Sequence, residues 1–448
     1  MKTQFIAVSI LAALFFPRLT TAQGNLEKLI DAEMPGLIAN YQYLHENPEL
    51  SHYEERTASF VAAELRSMGY DVMERAGSYR NPQHVSYGIV AVLKNGSGPT
   101  LLLRTDLDAL PIEENTGLPY ASKVRGKDES GREVGLMHAC GHDLHMTAFL
   151  GAAKVLYALK SRWRGTLVLV GQPAEETGTG AQAMLEDGLY ARFPKPDFAV
   201  ALHADALLEA GKIGYCEGYA LANVSSVDIV VRGIGGHGAY PDGAKDPVLV
   251  AAQIVLNLQS IVSREISPIE PAVVTVGSIH GGSKHNIIPD EVRLQLTVRS
   301  YKRDVHFAIL DAIERIARGT ALAAGIPADR MPIVTSDRDN YLPATYNNPA
   351  LTLRLTEALR SVLGKDQVVK KDPVMGAEDF GRFSLEDHSV PISLFWLGTV
   401  NPALMKRHMT EGIPLSGLHS SQFAPLPEPS IRTGVRTLTT AALELLKK

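Results

Sequence analysis

Short apolar segments alternate with helical segments along the first half of the sequence, and this alternation constrains the fold more than any other feature. The predicted strands are short, rich in leucine or β-branched residues, and bounded by turn-forming residues: 89–93, 100–104, 165–171 and 198–203. Between the last three, residues 145–159 and 180–187 have the apolar spacing of helices, as do residues 25–47 and 54–68 before the first strand. This order of elements predicts an α/β fold.

The middle of the sequence has a different pattern, which predicts a second domain inserted into the first. Residues 291–300 alternate between apolar and polar side chains, as in a strand that packs one face on helices. Asp246 can cap a helix that has Pro247 at its first position. With further strands at 226–232 and 272–278 and a helix at 304–324, these residues predict a compact antiparallel α+β unit.

The α/β pattern resumes after residue 348, so the insertion separates two parts of one domain. The predicted organisation is a first domain made of residues 23–219 and 337–448, with an inserted domain at residues 220–336.

The first 22 residues have the composition of a secretory signal peptide. Lys2 precedes an apolar run at 5–16, and Thr20-Thr21-Ala22 supplies small residues before Gln23. A membrane anchor is the alternative, but the run is shorter than the ~20 residues of a spanning helix. No later segment is expected to be long and apolar enough to span a bilayer, so the sequence predicts a periplasmic or secreted protein without stable membrane insertion.

Composition excludes several classes of protein. The 448 residues are 45% apolar and 21% charged, which is typical of a globular chain. With 44 Lys and Arg against 49 Asp and Glu, and no basic run, no nucleic-acid partner is expected. Cys140 and Cys216 are too few for a disulfide scaffold, although a single bridge between them is an alternative to metal binding.

The segment from His138 to His145 reads His-Ala-Cys-Gly-His-Asp-Leu-His. Thiolate and imidazole groups donate well to zinc-like ions, so this concentration of ligand types predicts a metal site. Two alternatives are that the three histidines only share a helix face, or that Cys140 is a small buried apolar residue.

Acidic residues follow two of the predicted strands. Glu175 and Glu176 come after the strand at 166–170, where open α/β sheets place their active sites. Because neighbouring side chains diverge, one glutamate can bind a metal ion while the other accepts a proton from the attacking water; a solvated acidic pair is the alternative. Asp106 and Asp108 follow another strand, and either can orient a ligand histidine or cap the next segment.

Two more histidines follow apolar segments. His203 is predicted to end the strand at 198–202, and His419 lies in Gly417-Leu-His-Ser-Ser421. Each alone is more often structural than metal-binding.

Taken together, these motifs resemble the M20 metallopeptidases, and in particular the amidohydrolase branch that contains hippurate hydrolases and auxin-conjugate hydrolases. The resemblance covers nearly the whole chain after the predicted signal. It rests on Asp-Leu-Asp-Ala-Leu-Pro at 106–111, His-Ala-Cys-Gly-His-Asp at 138–143, Glu-Glu at 175–176, Leu-His at 202–203, Gly-Gly-His-Gly at 235–238, Asn-Ile-Ile-Pro at 286–289, Gly-Ala-Glu-Asp-Phe at 376–380 and Leu-His-Ser at 418–420.

The resemblance implies a zinc-peptidase-like catalytic domain with an inserted ferredoxin-like lid or dimerisation domain. It implies a site for two divalent metal ions, with Cys140 as the bridging ligand and His142, Glu176, His203 and His419 as the others. Zinc suits these ligand types best, while manganese, cobalt and nickel stay open as alternatives.

The resemblance also assigns roles to other residues. Glu175 is the implied general base, and Asp108 the implied support of the metal site. His237 is implied to stabilise the oxyanion, with a plain loop role as the alternative. Asn286 and Arg299 are candidates for holding a substrate carboxylate, with Arg299 equally explained as a polar-face strand residue. Glu378 is implied to lie near the metals or to be structural.

The implied activity is metal-dependent hydrolysis of the amide bond of N-acyl-amino acids or short peptides, in a homodimer formed through the inserted domain. Two alternatives belong to other classes: a cysteine-dependent hydrolase that uses Cys140 and His142, and a non-catalytic periplasmic solute-binding protein. Relatives commonly have an acidic residue soon after the His-Ser motif, whereas Ser421-Gln-Phe423 stands here. The wall beside His419 is therefore expected to differ.

Overall fold

The computed structural model describes residues 16–128, 130–339 and 341–447, with side chains from residue 25 onward. The described helices are α1 Phe16–Glu46, α2 Glu55–Ser67, α3 His142–Ala158, α4 Gly180–Glu186, α5 Leu189–Arg192, α6 Pro247–Ser260, α7 Arg303–Ala323, α8 Pro349–Leu363, α9 Pro402–Glu411 and α10 Pro427–Leu445. The strands are β1 Asp71–Ala76, β2 Gly88–Asn95, β3 Thr100–Asp106, β4 Arg125–Lys127, β5 Glu133–Gly135, β6 Gly165–Gln172, β7 Phe198–Glu209, β8 Ile213–Tyr215, β9 Gly218–Leu221, β10 Asn223–Arg232, β11 Gly236–His237, β12 Ala272–Gly281, β13 Ile287–Ile288, β14 Glu291–Ser300, β15 Ile333–Ser336, β16 Thr345–Asn347, β17 Val368–Lys370 and β18 Ile392–Val400.

The predicted signal peptide falls mainly outside this description. Its residues 1–15 are not among the described residues, and residues 16–22 belong to helix α1.

The chain divides into two compact units. The first unit comprises the described parts of Met1–Tyr215, Pro349–Lys371 and Val390–Lys448, and the second comprises Cys216–Asn348 and Asp372–Ser389. The second unit therefore contains the whole predicted insertion, extends beyond it on both sides, and adds a segment that was expected in the first domain.

The first unit is built on an eight-stranded sheet with the order β1-β2-β6-β3-β7-β18-β8-β17. Strands β6, β3, β7 and β18 run parallel to one another, whereas β1 and β2 form an antiparallel edge. This arrangement confirms the predicted α/β class. The carboxyl ends of the four parallel strands meet at one edge of the sheet, which is where such folds place ligands.

Helix α3 packs on the sheet and tightly against α10, the last helix of the first unit. A Cβ atom at Gly434 of α10 would lie 2.6 Å from the Cβ of Ala148, and one at Gly151 would lie 2.5 Å from Val435 Cγ2. Because only glycine permits this approach, the two helices are held at a fixed separation. The amino end of α3 is thereby fixed over the carboxyl edge of the sheet.

The second unit has a four-stranded antiparallel sheet with the order β12-β14-β10-β15. The predicted alternation in β14 is confirmed, since Val292, Leu294, Leu296 and Val298 are buried in a core shared with α6 and α7. The predicted helix start is also confirmed, because the Asp246 side chain accepts a hydrogen bond from Val248 N at 2.8 Å.

Helix α6 corrects one expectation about membranes. Residues Pro247–Glu265 form a 19-residue helical segment that is long and apolar enough to cross a bilayer by length and composition alone, contrary to the expectation from the sequence. This is weak evidence for a span, because core helices of soluble proteins pass the same test. Here Val250, Ile254 and Leu258 are buried in the core of the second unit, while 33% of the segment as a whole is buried.

Candidate metal centre

The predicted ligands of the first unit and the predicted general base, Glu175, converge at the carboxyl edge of the sheet. They come from four places in the chain: Cys140 and His142 at the start of α3, Glu175 and Glu176 in the turn after β6, His203 in β7, and His419 in the turn that follows α9. They form several overlapping groups whose ligand atoms lie within 4.8 Å of one another: Cys140, His142 and His203; Cys140, Glu176 and His419; His142, Glu175 and Glu176.

Gly141 allows the two ligands on either side of it to point into the site. It precedes α3 with a φ of 82°, in the left-handed region that favours glycine. A Cβ atom there would lie 2.8 Å from the Cβ of Ala204. A tight turn against β7 therefore holds Cys140 and His142 beside the strand that carries His203.

The Cys140 sulfur lies between two histidines. Its Sγ is 3.6 Å from His203 Nε2 and 3.3 Å from His419 Nε2. The other nitrogen of His203 donates to Ala204 O at 2.9 Å, so Nε2 is directed towards the sulfur. A thiol that faces two imidazole nitrogens is a ligand set that suits zinc-like cations.

The position of His203 differs from the prediction. The strand does not end there, because β7 continues to Glu209. Pairing of β7 with β3 stops at Ala201, opposite Arg104. The His203 side chain lies just beyond the point at which β7 stops pairing with β3.

The two ring nitrogens of His142 have different environments. Its Nδ1 donates to the main-chain oxygen of Asp108 at 2.7 Å. Its Nε2 is buried, has no hydrogen-bond partner among the described residues, and lies 3.7 Å from Glu176 Oε1, which is also buried without one. Two facing acceptor atoms without partners are costly unless a cation lies between them, so the residues present fit a metal ion.

Asp108 lies beside two of the candidate ligands and contacts both. Its Oδ2 accepts hydrogen bonds from Ser51 Oγ at 2.7 Å and from Glu176 N at 2.9 Å. Burial alone would raise the pKa of Asp108, but His142 and Ser51 lower it below its usual range. Asp108 thus holds His142 through its main-chain oxygen and Glu176 through its carboxylate, as residues that orient metal ligands do.

His145 is excluded as a ligand by its own hydrogen bonds. Its Nδ1 donates to Asp106 Oδ1 at 2.8 Å, and its Nε2 accepts from Ala204 N at 2.7 Å. Asp106 is also paired with Arg104 at 2.7 Å. His145 and Asp106 therefore connect α3 to β3 and β7 beneath the metal ligands.

The remaining members of the 138–145 motif have different environments. Asp143 accepts from His45 Nδ1 at 2.6 Å, and the other nitrogen of His45 lies 3.2 Å from Glu114 Oε1. Sequence reasoning missed this pair, because 98 positions separate its members. His138 is buried with neither nitrogen hydrogen-bonded in the described part of the chain, and burial lowers its pKa to about 4.

Two of the candidate ligands, Glu176 and His142, hold protons more tightly than usual. Burial raises the pKa of Glu176 to about 7. Burial would lower the pKa of His142, but Asp106 and Asp108 raise it to about 10. The site thus attracts positive charge at neutral pH, which a divalent cation can supply in place of the protons.

The alternative disulfide is not formed. Cys140 and Cys216 are both buried free cysteines. Cys140 lies in the ligand cluster, and Cys216 contacts the main-chain oxygens of Glu217 and Tyr219.

Phe423 forms an apolar wall near His419. It is 2% exposed and packs with Met137, Ala139 and Ala204. Its main-chain N donates to Ser420 O at 3.0 Å, and His419 N donates to Ala139 O at 2.9 Å.

The second unit carries the other predicted residues. Strand β11 pairs with β13, and Gly238 N donates to Asn286 O at 2.9 Å, which brings His237 and Asn286 together. His237 is exposed, and its Nδ1 accepts from Ala239 N at 3.0 Å. The proton of a neutral His237 is therefore on Nε2, which makes that atom a hydrogen-bond donor.

Arg299 and Glu378 both have structural contacts in the second unit. Arg299 is half-buried and donates from Nη1 to Met375 O at 2.7 Å. Glu378 is fully buried and accepts from Phe380 N at 2.9 Å at the start of the short helix Asp379–Ser384.

Comparison with known proteins identifies relatives of this chain. The model of peptidase family M20/M25/M40 matches residues 102–419, a range that contains all of the ligands described above. Thermostable carboxypeptidase 1 of Saccharolobus solfataricus is 36% identical over 361 residues, covering 80% of this chain and 84% of that protein. Hippurate hydrolase of Campylobacter jejuni is 36% identical over 369 residues, with 82% and 87% covered.

Solved structures agree with the fold over nearly the whole chain. A putative aminohydrolase of methicillin-resistant Staphylococcus aureus has a TM-score of 0.81 and 29% identity, covering 95% of this chain and 100% of that one. A Bacillus subtilis protein described as a dinuclear metal-binding peptidase has a TM-score of 0.73 and 28% identity, with 93% and 99% covered. This chain belongs to peptidase family M20/M25/M40.

Proposed function

We propose that this protein hydrolyses the amide bond of N-acyl-amino acids or short peptides and releases an amino acid with a free carboxylate. The observation that carries the proposal is the buried Glu175 beside a cluster of thiol, imidazole and carboxylate ligands. Relatives named carboxypeptidase, hippurate hydrolase and N-acetyl-L-cysteine deacetylase act on bonds of this class.

The ligand cluster would hold two divalent ions. Cys140 would bridge them, and the remaining positions would be filled by His142, Glu176, His203 and His419. Sulfur and imidazole ligands favour zinc, with manganese, cobalt and nickel as alternatives set by availability. When bound, the ions supply Lewis-acid polarisation of the amide carbonyl and lower the pKa of water.

Glu175 has the position of a general base. Its carboxylate is 7% exposed, and its Oε2 lies 3.8 Å from His142 Nε2. It would accept a proton from the attacking water and return that proton to the nitrogen of the leaving amine.

The second unit supplies the proposed substrate contacts. His237 Nε2, fixed as a donor by the Ala239 contact, would stabilise the oxyanion. Asn286 and Arg299 would bind the carboxylate of the substrate, for which a guanidinium group provides two parallel donors.

Assembly as a homodimer through the second unit is part of the proposal. Helix α6 exposes Val248, Leu249 and Leu256 at 44%, 59% and 71%. Strand β12 is at the edge of its sheet, where Ile279 is 52% exposed. Neighbouring exposed apolar side chains and a free strand edge favour a protein interface.

Export to the periplasm or medium rests on the signal-like residues 1–22. Amino-terminal sequencing of protein recovered from the exported fraction tests it. A mature chain that begins near Gln23 is expected, and a chain retained with Met1 would contradict export.

The proposed function is tested with purified protein and a panel of N-acetyl, N-benzoyl and dipeptide substrates. Activity is measured before chelation, after chelation, and after separate addition of zinc and manganese. The expected result is loss of turnover on chelation, recovery on addition of metal, and a fall to a small residual rate in Glu175→Gln.

The same assay separates the alternatives. Turnover that resists chelation but is lost on alkylation would favour a cysteine-dependent hydrolase. Tight ligand binding without turnover under any metal would favour a solute-binding protein.

A further inference from the structure

A buried glutamate outside the ligand cluster contacts the segment that carries the proposed general base. Glu54 lies just before helix α2 and is 0% exposed. Its Oε1 accepts two main-chain hydrogen bonds, from His52 N at 3.0 Å and from Ala174 N at 2.8 Å. The second contact spans 120 positions and joins the turn before α2 to the turn after β6.

Ala174 is in an unusual conformation at this contact. Its φ is 49°, in the left-handed region that residues with a Cβ atom rarely adopt. Its carbonyl accepts from Gly180 N at 3.1 Å and Thr179 N at 3.3 Å. A residue keeps such a conformation only where surrounding groups hold it. The hydrogen bond from Ala174 N to Glu54 is one such contact, and Ala174 directly precedes Glu175.

A second carboxylate holds the other side of Glu175. Asp108 Oδ2 accepts from Glu176 N at 2.9 Å and from Ser51 Oγ at 2.7 Å. The main-chain N–H groups on both sides of Glu175 are thus bound by carboxylates, and both carboxylates contact the turn at residues 51–54. We call this arrangement the Glu54 and Asp108 clamp.

We propose that Glu54 is a positioning residue that fixes the Glu175 carboxylate for proton transfer. This inference rests on the proposed function of Glu175. Glu54 acts through the Ala174 peptide and does not touch the substrate. A misplacement of about 1 Å at a reacting group lowers the rate by about 100-fold, so the loss of one side of the clamp has a measurable effect.

Three substitutions at residue 54 separate positioning from general structural support. Glu54→Asp keeps the carboxyl group but shortens the reach to Ala174 N. Glu54→Met fills a similar volume without an acceptor. Glu54→Gln keeps an oxygen that can accept both N–H groups, and the Glu54 Oε2 atom that it replaces has no hydrogen-bond partner among the described residues.

Glu49→Gln is the matched control. The Glu49 carboxylate also binds the start of α2, since it accepts from Thr57 N at 2.8 Å and from Arg56 Nε at 2.9 Å. These contacts are confined to the segment at 49–57. The control therefore perturbs the same turn without removing the hydrogen bond to Ala174.

The expected result is a split between kcat and KM. We expect Glu54→Asp and Glu54→Met to lower kcat by about 10- to 100-fold with KM changed less than about twofold. Glu54→Gln and Glu49→Gln should retain kcat within about threefold. Metal content should be unchanged in all four variants. Unchanged kcat in Glu54→Asp, or equal losses in Glu54→Asp and Glu49→Gln, would overturn the inference.

A double-mutant cycle links the effect to Glu175. In a Glu175→Gln background, Glu54→Asp should leave the residual rate unchanged, because the group that it positions no longer accepts a proton. An equal loss in both backgrounds would show that Glu54 acts elsewhere and would leave the proposed function intact. Full activity in Glu175→Gln alone would instead refute the proposed function, and this inference with it.

Discussion

His45 is hydrogen-bonded to Asp143 across 98 positions of sequence, with 2.6 Å between Nδ1 and Oδ2. Both side chains are about 1% exposed, and Glu114 lies on the other side of the ring at 3.2 Å. The contact connects helix α1 to the residue that directly follows the candidate metal ligand His142.

His45→Gln is expected to destabilise the first unit in a pH-dependent way. Burial would lower the pKa of His45, but Asp143 and Glu114 raise it from 6.5 to about 10. The stabilisation by the charged ring is thus complete below pH 6.5 and is lost as the pH rises through about 10. Urea unfolding at pH 6.5 should show a loss of about 3 kcal/mol in the variant.

The difference between the wild type and His45→Gln should shrink when the measurement is repeated near pH 10. At low pH the contribution also falls, because the pKa values of Asp143 and Glu114 are both lowered in the folded protein. A difference that is constant from pH 5 to pH 10 would contradict the ionic contact.

Metal binding should release protons. His142, with a pKa of about 10, and Glu176, with a pKa of about 7, hold protons in the metal-free protein at neutral pH. Ligation requires their deprotonated forms, so affinity should increase by up to about tenfold per pH unit for each proton released. Calorimetric titrations with zinc in two buffers of different ionisation enthalpy measure the number of protons, and equal heats in both would refute the prediction.

The two histidines in the first turn of α3 should differ in their effect on metal content. His142→Ala removes an available Nε2 and should reduce the bound metal measured by elemental analysis. His145→Gln removes a ring whose two nitrogens are both engaged by protein groups, so it should keep the metal content while lowering stability. Equal loss of metal in both variants would contradict the assignment of His145 as structural.

Gly141→Ala should lower the free energy of unfolding by more than its positive φ alone predicts, and it should also weaken metal binding. Its φ is 82°, and the new Cβ would lie 2.8 Å from the Cβ of Ala204. We expect a loss of about 2 kcal/mol or more in unfolding free energy, together with weaker metal binding. Gly412 is the matched control in the same unit, because it has a φ of 71° and a Cβ atom added there would meet nothing within 4 Å. Gly412→Ala should cost about 1 kcal/mol and leave metal binding unchanged.

Leu256→Asp should weaken the proposed dimer without unfolding the second unit. Leu256 is 71% exposed on α6, whereas Ile254 on the same helix is fully buried. A charge on the exposed face disfavours an apolar interface, so light scattering should show a lower molecular mass for this variant. The circular dichroism spectrum should stay the same. A wild-type protein that is monomeric at all concentrations would refute the dimer.

The sequence predicts the site residues that directly follow strands. Parallel strands place their carboxyl ends together, so Asp108 after β3 and Glu175 and Glu176 after β6 could be expected at one edge. The Gly141 turn could be predicted for a similar reason, because glycine between two ligand types indicates a sharp change of direction.

The supporting contacts could not be predicted, because they depend on pairing between distant segments. Nothing in the local pattern links His45 to Asp143 or Glu54 to Ala174. The predicted length of β7 was wrong for a related reason. The strand was expected to end near His203 but continues to Glu209, and nothing in its sequence shows that pairing with β3 stops at Ala201.

The contact between Cys140 and His419 has a consequence for the order of events during synthesis. The two residues are 279 positions apart, and the whole of the segment Cys216–Asn348 lies between them in the chain. A growing chain therefore presents Cys140, His142, Glu176 and His203 long before His419 is made. Until then the proposed centre would lack one of its ligands, so complete metal loading would be a late step that follows synthesis of nearly the entire polypeptide.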